Sequence, residues 1–361
     1  MLLDGIGGIC ILSLYKRDFN MKTALITGIT GQDGHYLSDL LINKGYEVYG
    51  MYRRSSLDVS ERLESLNTKV KLVEGDLIDV PSLSRIINEI EPDEIYNLAS
   101  QSFVPSSLTQ PVATAEITGI GVLNLMEVVK GFKKKRIKVY QASTSELFGK
   151  VHESPQKETT PFYPRSIYAV SKLFAHWVVK NYRESFDMFA CNGILFNHES
   201  PIRPKQFVTR KISHSVAKIK LGLQDYFEIG NLDAKRDWGY AGDYVEAMWL
   251  MLQQEKPDDY VIATEETHTV REFIEEAFKT LNMEIEWEGE GIREVGKCSG
   301  ITVVKVNPKF YRPAEVDLLI GDCSKAKREL GWTPKTKFKE LVWAMVRNDY
   351  KTLKQKEKEG A

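Results

Sequence analysis

Cysteine and histidine are both scarce in this chain of 361 residues. The six histidines include no H-E-x-x-H motif, so the sequence does not indicate a metal. The cysteines show no C-x-x-C pair, which argues against a zinc site or a disulfide framework and favours a reducing cytoplasm. The four cysteines are Cys10, Cys191, Cys298 and Cys323.

An excess of charge of either sign is also absent, since 49 Lys and Arg residues face 50 Asp and Glu residues. This balance gives no reason to expect nucleic acid or an anionic membrane as a partner. Residues 1–20 contain an apolar run far shorter than the roughly 20 residues of a membrane-spanning helix. Asp4 stands where a signal peptide has a basic leader, so we expect residues 1–20 to be an extension outside the core fold.

Short apolar runs alternate with helical patterns through the first half of the chain. This alternation is typical of βαβ units, and it predicts the α/β class with a Rossmann-type, doubly wound parallel sheet. Gly45 is placed to end the first helix and Pro81 to begin a later one. After Phe196 the sequence becomes rich in Pro, Arg and Lys, which predicts a smaller C-terminal substrate-binding lobe.

Three glycines at a spacing of three, Gly28, Gly31 and Gly34, follow the first apolar strand and open a helix. Glycine at these positions allows a tight turn, a close approach of backbone N–H groups to a pyrophosphate, and close packing of the helix on the strand. The pattern therefore indicates a dinucleotide site. The alternative is a glycine-rich turn that binds no ligand.

Two arginines, Arg53 and Arg54, lie where the second strand ends. An NAD site usually has Asp or Glu here, to accept hydrogen bonds from the ribose 2′-hydroxyl. Guanidinium groups instead suit a 2′-phosphate, so the sequence predicts NADP. The alternative is a solvated arginine pair.

The predicted organisation is an extension (1–20), an NADP-binding Rossmann domain (21–196) and a mainly substrate-binding lobe (197–361) with some segments returning to the sheet.

A tyrosine lies four residues before a lysine in "YAVSK", which places Tyr168 and Lys172 on one face of a helix. An ammonium in this position can lower the pKa of the phenol from about 10 toward neutral pH. Tyr350 and Lys354 have the same spacing, but they lie in a highly charged C-terminal helix, and the sequence around them contains no candidate catalytic residues.

The strand end "QASTSELFG" shortly before this helix carries hydroxyls and a carboxylate. Thr144 can polarise a carbonyl or alcohol oxygen, and Glu146 can remove a proton made acidic by a neighbouring ketone. The alternative is a loop hydroxyl and a surface acid.

Together, the glycine turn and the Tyr168–Lys172 pair resemble the extended short-chain dehydrogenase/reductase superfamily. Longer strings resemble the GDP-mannose 4,6-dehydratases within it, and the resemblance runs from about Met21 to Lys351. These strings are "ALITGITGQDG", "YRRSS", "YQASTSELFGK", "PFYPRSIYAVSK", "NGILFNHESP", "FVTRKI" and "GNLDAKRDWGYAGDYVEAMW".

The resemblance implies a catalytic triad of Thr144, Glu146 and Tyr168 supported by Lys172. It also implies two sets of binding residues. The cofactor set is Gly28, Thr30, Gly31, Gln32, Asp33, Gly34, Arg53, Arg54, Ser55, Ser56, Asp76, Leu77, Leu98, Ala99, Gln101, Ser102, Tyr168, Lys172, His198 and Arg203. The substrate set is Ser102, Asn197, Val208, Lys211, Arg236, Arg312 and Glu315.

The activity that the resemblance implies is conversion of GDP-α-D-mannose to GDP-4-dehydro-6-deoxy-α-D-mannose and water, by internal hydride transfer through NADP. A homodimer or homotetramer is also implied. A 4-reductase or 4-epimerase of a related nucleotide sugar is an alternative, but neither needs a carboxylate at Glu146. A non-catalytic dinucleotide sensor is a remote alternative, because such proteins tend to lose the tyrosine or the lysine.

This sequence departs from the family pattern at two places. After "NHESP" the family usually continues with two basic residues and a glycine, whereas this chain reads Ile202, Arg203, Pro204, Lys205, Gln206. Phe103 stands where a histidine is common. We therefore expect the contacts of residues 202–206 to differ from the family pattern, whereas the catalytic strings are intact.

Overall fold

The structure is a computed structural model that describes residues 21–55, 60–311 and 318–359. The strands within these residues are β1 (Thr23–Thr27), β2 (Glu47–Tyr52), β3 (Lys71–Glu74), β4 (Glu94–Asn97), β5 (Lys138–Ala142), β6 (Ala190–Leu195), β7 (Asn197–Glu199), β8 (Phe227–Ile229), β9 (Lys235–Arg236), β10 (Trp238–Tyr240), β11 (Tyr260–Ile262), β12 (His268–Thr269), β13 (Glu286–Glu288), β14 (Val295–Cys298) and β15 (Ile301–Val306).

The helices alternate with these strands in the first half of the chain and are more widely spaced in the second. They are α1 (Gln32–Asn43), α2 (Ser60–Glu64), α3 (Val80–Ile90), α4 (Ser106–Thr109), α5 (Pro111–Ala115), α6 (Gly121–Gly131), α7 (Ile167–Phe186), α8 (Val208–Lys220), α9 (Ala241–Gln253), α10 (Val270–Thr280), α11 (Ser324–Leu330) and α12 (Phe338–Glu359). A π-helical turn, Glu116–Ile120, joins α5 to α6, and 3₁₀ turns lie at Ser145–Leu147, Gly291–Arg293 and Pro308–Phe310.

The central sheet has seven strands in the order β3-β2-β1-β4-β5-β6-β11, and every neighbouring pair is parallel. Strands β1, β4 and β6 are buried along their whole length, which explains their continuous apolar runs. The strand order runs in opposite directions from β1 and from β4, which opens a crevice between their carboxyl ends. The Rossmann-type fold predicted from the sequence is confirmed.

Helices cover both faces of this sheet. On one face α1, α9 and α11 contribute Leu37, Met248 and Leu330 to a buried apolar cluster. On the other face α3, α6 and α7 form a second cluster around Leu83 and Leu125. Each helix presents its apolar side to the sheet, so the sheet is the middle layer of three.

Two of the helix boundaries follow from single residues named in the sequence. Helix α1 ends at Asn43, and Gly45 just beyond it has a φ of +82°, a left-handed conformation that favours glycine. Pro81 lies in the first turn of α3, where its missing N–H costs no hydrogen bond. Both predicted boundary signals are confirmed.

Pro111–Gly131, which runs through α5, the π-helical turn and α6, is long and apolar enough by length and composition to span a membrane. An 18-residue window of this 21-residue segment has a mean hydropathy of 1.5, and 44% of that window is buried inside the protein. The segment packs against α3 and α7 beside the sheet. The core helix of a globular domain has the same composition, so this helix is explained by its place in the fold.

A separate apolar core lies beyond residue 207 and joins α8, α10 and α12 to the sheet β13-β14-β15-β8. Its largest side chains include Phe273, Phe278 and Trp238. Strands β14 and β15 pair antiparallel, whereas β15 and β8 pair parallel. Helix α9 and strand β11 come from the same half of the chain but join the central sheet layers. The predicted domain limits at residues 20 and 196 stay a prediction.

Candidate active site

The glycine turn lies at the crevice between β1 and β4. Gly28 has a φ of +68°, and a Cβ atom on it would lie 2.9 Å from the backbone N and Cα of Ala99. A Cβ atom on Gly34 would lie 2.4 Å from the carbonyl oxygen of Ile29. Gly31 precedes α1, and no side chain caps the first turn of that helix. The N-terminal N–H groups of α1 are thus presented to the crevice, an arrangement that fits a pyrophosphate.

One cleft of about 690 Å³ extends from this crevice to the C-terminal lobe. It brings together most of the residues singled out in the sequence. Those that line it are Gly28, Gly31, Gln32, Asp33, Gly34, Leu98, Ser102, Thr144, Glu146, Tyr168, Lys172, Asn197, His198, Arg203, Val208, Lys211 and Arg236.

The other predicted residues that the structure describes do not line this cleft. Arg53, Arg54 and Ser55 follow β2 and are exposed, while Thr30, Asp76, Leu77, Ala99 and Gln101 lie near the ends of β1, β3 and β4. Ser56, Arg312 and Glu315 lie outside the described residues.

Tyr168 and Thr144 meet at the floor of the cleft. Ser166 caps α7 by accepting the N–H of Ala169, so Tyr168 lies in the first turn of the helix. Thr144 accepts the N–H of Glu146 at 3.3 Å and is hydrogen-bonded to the Tyr168 hydroxyl. The 3₁₀ turn Ser145–Leu147 therefore places a hydroxyl and a carboxylate beside one phenol.

Burial raises the pKa of Tyr168 well above its ordinary value, and the hydrogen bond from Thr144 opposes this rise. The Glu146 carboxylate raises the pKa further, and the positive charge of Arg203 lowers it. Lys172 is not among the groups with the largest effects on the pKa of Tyr168, so the expectation that it brings this pKa toward neutral pH stays a prediction. Lys172 Nζ lies 6.0 Å from the centre of the Tyr168 ring and donates to the Ala142 carbonyl at 2.7 Å, so burial dominates.

Burial also acts on the lysine itself, because an ammonium in a dry environment is disfavoured. It lowers the pKa of Lys172 to about 8, while the charge of Asp33 acts in the opposite direction. The lysine is therefore poised to change its charge close to neutral pH.

A buried ion pair joins α1 to β7 along the wall of the cleft. His198 Nε2 lies 2.8 Å from a carboxylate oxygen of Asp33, and its Nδ1 lies 2.9 Å from the carbonyl oxygen of Phe196. Both partners accept hydrogen bonds, so the imidazole must carry both protons. Burial lowers the pKa of His198, but Asp33 outweighs burial and the net pKa is raised. Gln32 adds a bond to the His198 carbonyl at 3.0 Å.

The loop in which this chain departs from the family pattern is built around Arg203. Its Nε lies 3.2 Å from a carboxylate oxygen of Glu199, and its guanidinium carbon lies 3.8 Å from the centre of the Phe207 ring. Phe207 also meets Phe103 edge to face, with ring centres 5.6 Å apart. Sequence reasoning missed Phe207, although it begins the quoted string "FVTRKI" just before α8.

The far end of the cleft is lined by cations and aromatic rings. Lys211 Nζ lies 3.7 Å from the centre of the Phe310 ring, and Arg236 is buried on β9. Phe310, Trp238 and Asn231 also line this end. They were not singled out in the sequence, although Asn231 and Trp238 lie in the quoted string "GNLDAKRDWGYAGDYVEAMW". Asn197 Oδ1 is buried and has no hydrogen-bond partner among the described residues, so it is available to a ligand.

A search of the described residues for three or more neighbouring His, Cys, Asp or Glu side chains that could hold a metal finds no such group. The side chains that this cleft brings together can carry out acid–base chemistry. Its participants are a phenol, a hydroxyl, a carboxylate and an ammonium.

Comparison with known proteins shows the family. The sequence profile described as "GDP-mannose 4,6 dehydratase" matches residues 25–345. The chain is 55% identical over 350 residues to a GDP-mannose 4,6 dehydratase of Drosophila melanogaster, covering 94% of this chain and 89% of that protein. It is 55% identical over 344 residues to the human GDP-mannose 4,6 dehydratase, covering 92% of each.

A solved structure with the same architecture is that of UDP-glucose 4-epimerase from Thermus thermophilus, in a complex with NAD. It superposes with a TM-score of 0.76 at 25% identity, covering 91% of this chain and 98% of the epimerase. The fold and the sequence relatives agree, and the resemblance of the motifs is confirmed. The chain belongs to the GDP-mannose 4,6-dehydratase family.

Proposed function

We propose that this protein is an NADP-dependent GDP-mannose 4,6-dehydratase, a hydro-lyase that forms GDP-4-dehydro-6-deoxy-α-D-mannose and water. The observation that carries the proposal is the meeting of Glu146 with Tyr168 and Thr144 in one cleft of a family member. A 4-epimerase or 4-reductase has no need of this carboxylate, so the alternative activities are not favoured.

The residues at the crevice fit a nicotinamide dinucleotide. The pyrophosphate would lie in the space that Gly28 and Gly31 keep free of side chains, next to the uncapped first turn of α1. When bound, the nicotinamide would accept a hydride from C4 of the sugar and return it to C6, so the reaction has no net redox change. Arg53 and Arg54, exposed just beyond β2, would bind the 2′-phosphate that distinguishes NADP from NAD.

The protein's own groups would move the protons. Tyr168 would take the proton from the O4 hydroxyl, with the Thr144 hydroxyl holding the same oxygen. Arg203 favours the phenolate needed for this step, because its charge lowers the pKa of Tyr168 against the effect of burial. Oxidation at C4 makes the C5 proton acidic. Glu146 would remove it and pass it to the C6 hydroxyl, which leaves as water. The proton that Tyr168 took from O4 would balance the later reprotonation of C5.

The C-terminal lobe would hold the GDP part of the substrate. Asn197, Val208, Lys211 and Arg236 line the cleft. The cations suit the phosphates and the aromatic rings suit a purine base. Arg312 and Glu315, which lie outside the described residues, are proposed for the same role on the family resemblance alone.

Incubation of the protein with GDP-mannose deuterated at C4, without added reductant, tests this function. We expect the product to lack one water and to carry the deuterium at C6, as mass spectrometry and NMR would show. An unchanged mass, or a requirement for stoichiometric NADPH, would contradict a dehydratase and support a 4-epimerase or a 4-reductase.

A further inference from the structure

A buried chain of hydrogen bonds crosses the carboxyl ends of three neighbouring strands and ends at Lys172. Thr27 Oγ1 donates to Asn97 Oδ1 at 2.5 Å, and Asn97 Nδ2 donates to Gln141 Oε1 at 2.6 Å. Gln141 Nε2 then donates to the carbonyl oxygen of Ala142 at 2.9 Å. Lys172 Nζ donates to that same oxygen at 2.7 Å.

Thr27 determines the direction of this series of hydrogen bonds. Thr27 Oγ1 accepts the backbone N–H groups of Leu98 and Ala99, each at 3.2 Å, so its single proton is left for Asn97. Asn97 must then turn its oxygen to Thr27 and its nitrogen to Gln141. Gln141 in turn has only its nitrogen to offer to Ala142. Every dipole points toward the oxygen that holds Lys172, and bonds aligned in this way polarise one another.

We propose that Gln141, oriented through Asn97 and Thr27, is a positioning residue for Lys172. Gln141 fixes the Ala142 carbonyl, whose oxygen also accepts a hydrogen bond from Lys172. This shared oxygen keeps the Lys172 ammonium at the floor of the cleft but leaves it free to turn to a ligand. The inference rests on the proposed function, because that function gives Lys172 its role beside Tyr168.

Burial supports this assignment, since Gln141 is 1% exposed and reaches neither the cleft nor solvent. Burial lowers the pKa of Lys172 to about 8, and the neutral Gln141 amide adds no negative charge that would oppose this shift. The titratable groups that face Lys172 are the uncharged phenol of Tyr168 on its own helix and Asp33 on α1, which is paired with His198.

The substitution Gln141→Met keeps the shape of the side chain and removes its hydrogen bonds. We expect kcat to fall by about tenfold to a hundredfold, because a displacement near 1 Å in a catalytic group has this effect. KM for GDP-mannose should stay within about twofold, since Gln141 does not line the cleft. Gln156→Met is the matched control, because Gln156 is equally buried and makes two similar hydrogen bonds far from Lys172.

The substitution Gln141→Glu tests the pKa of Lys172 directly. A carboxylate bonded beside the ammonium stabilises its charged form, so the pKa should rise by about one unit or more. The pKa is measured from the pH dependence of Lys172 acylation, followed by peptide mass spectrometry on protein without substrate or cofactor. In the active enzyme, we expect kcat to fall at alkaline pH as Lys172 loses its proton. In Gln141→Glu, this fall should move to higher pH by a similar amount.

Two results would overturn the inference: a kcat for Gln141→Met within about twofold of the Gln156→Met value, or an unchanged Lys172 pKa in Gln141→Glu. If the Gln141 variants do not fold, Thr27→Val removes the first hydrogen bond of the series and should lower kcat in the same manner. Wild-type protein that is inactive on GDP-mannose would refute the proposed function instead, and the acylation measurement would still decide the role of Gln141.

Discussion

In the proposed function, Glu146 is the residue on which the chemistry of the cleft depends most. It is buried in the 3₁₀ turn after β5 and lies close enough to Tyr168 to raise the pKa of that phenol. In Glu146→Gln, dehydration should slow by about 10²–10⁴-fold, the usual contribution of a general acid or base. Exchange of the C4 hydride with the cofactor should persist, because that step needs Tyr168 and not the carboxylate.

Turnover assays of Glu146→Gln measure this effect, and Glu158→Gln is the matched control. Glu158 is a partly buried carboxylate that accepts the N–H of Val261 and does not line the cleft. Full activity in Glu146→Gln would remove the acid–base role from this residue.

Arg53 and Arg54 carry the prediction of NADP over NAD. Both are exposed at the end of β2. Replacing both with Ala should weaken binding of NADP⁺ by about tenfold or more and leave binding of NAD⁺ nearly unchanged, since only NADP⁺ has the 2′-phosphate. Calorimetric titration with each dinucleotide checks this. Arg328→Ala, an exposed arginine on α11, should change neither. Equal losses for both dinucleotides would show that the pair does not select the cofactor.

At the scale of elements, the packing of α1 on β1 depends on Gly34. Its Cβ position is only 2.4 Å from the Ile29 carbonyl oxygen, and a backbone atom cannot move aside as a side chain can. In Gly34→Ala, the free energy of unfolding should fall by about 1–3 kcal/mol or more, and dinucleotide binding should weaken as α1 shifts.

Denaturant unfolding checks this prediction against Gly131→Ala. Gly131 lies in the last turn of α6 with open space around its Cβ position, so alanine there should leave stability unchanged or slightly higher. Equal stabilities of the two variants would mean that the close contact at Gly34 is relieved at no cost.

The ion pair between Asp33 on α1 and His198 on β7 makes the joining of these elements depend on pH. The pKa of His198 is raised above 6.5, so its contribution to stability is complete below that value and is lost as the pH rises through the folded-state pKa. The pKa of Asp33 is lowered below 3.8, so its contribution is present above that value and is lost as the pH falls through the folded-state pKa.

His198→Gln should therefore cost about 1–3 kcal/mol of unfolding free energy near pH 5–6, and progressively less as the pH rises. Urea unfolding at several pH values measures the difference from wild type, with the exposed His152→Gln as the control. A deficit that does not vary with pH would mean that the imidazolium charge does not stabilise the fold.

At the scale of the whole molecule, α7 presents an apolar stripe that the other residues described by the structure do not cover. Ile167, Val170, Phe174 and Trp177 recur at helical spacing and are all exposed. Leu108 and Val112 lie exposed on α4 and α5, which pack beside α7. A surface of this kind marks an interface, so we propose that it joins subunits in the expected homodimer or homotetramer.

Trp177→Glu should dissociate that assembly, because a buried unpaired carboxylate at an apolar interface is unfavourable. Light scattering after size-exclusion chromatography gives the mass in solution. Trp343→Glu is the matched control, since Trp343 on α12 is 54% exposed and Trp177 is 52% exposed. Dissociation by the control alone would place the interface on α12.

Much of the fold was predictable because its signals lie within single elements. The apolar run of β1, the glycines that follow it and the boundaries at Gly45 and Pro81 are all local patterns, and the structure has them where they were expected. The placement of Phe207 was not predictable. Its importance comes from Arg203 stacking on one side and Phe103 meeting its edge, and these residues share no common spacing.

The sequence by itself determined the α/β class, the glycine turn and the shared helix face of Tyr168 and Lys172, because each depends on residues a few positions apart. Only the tertiary structure decided which groups meet across the cleft. It pairs Asp33 with His198, turns Lys172 to Ala142 rather than to Tyr168, and buries Tyr168 so that its pKa rises. These outcomes depend on how distant elements pack, and burial and distance, unlike spacing, cannot be read from a single segment.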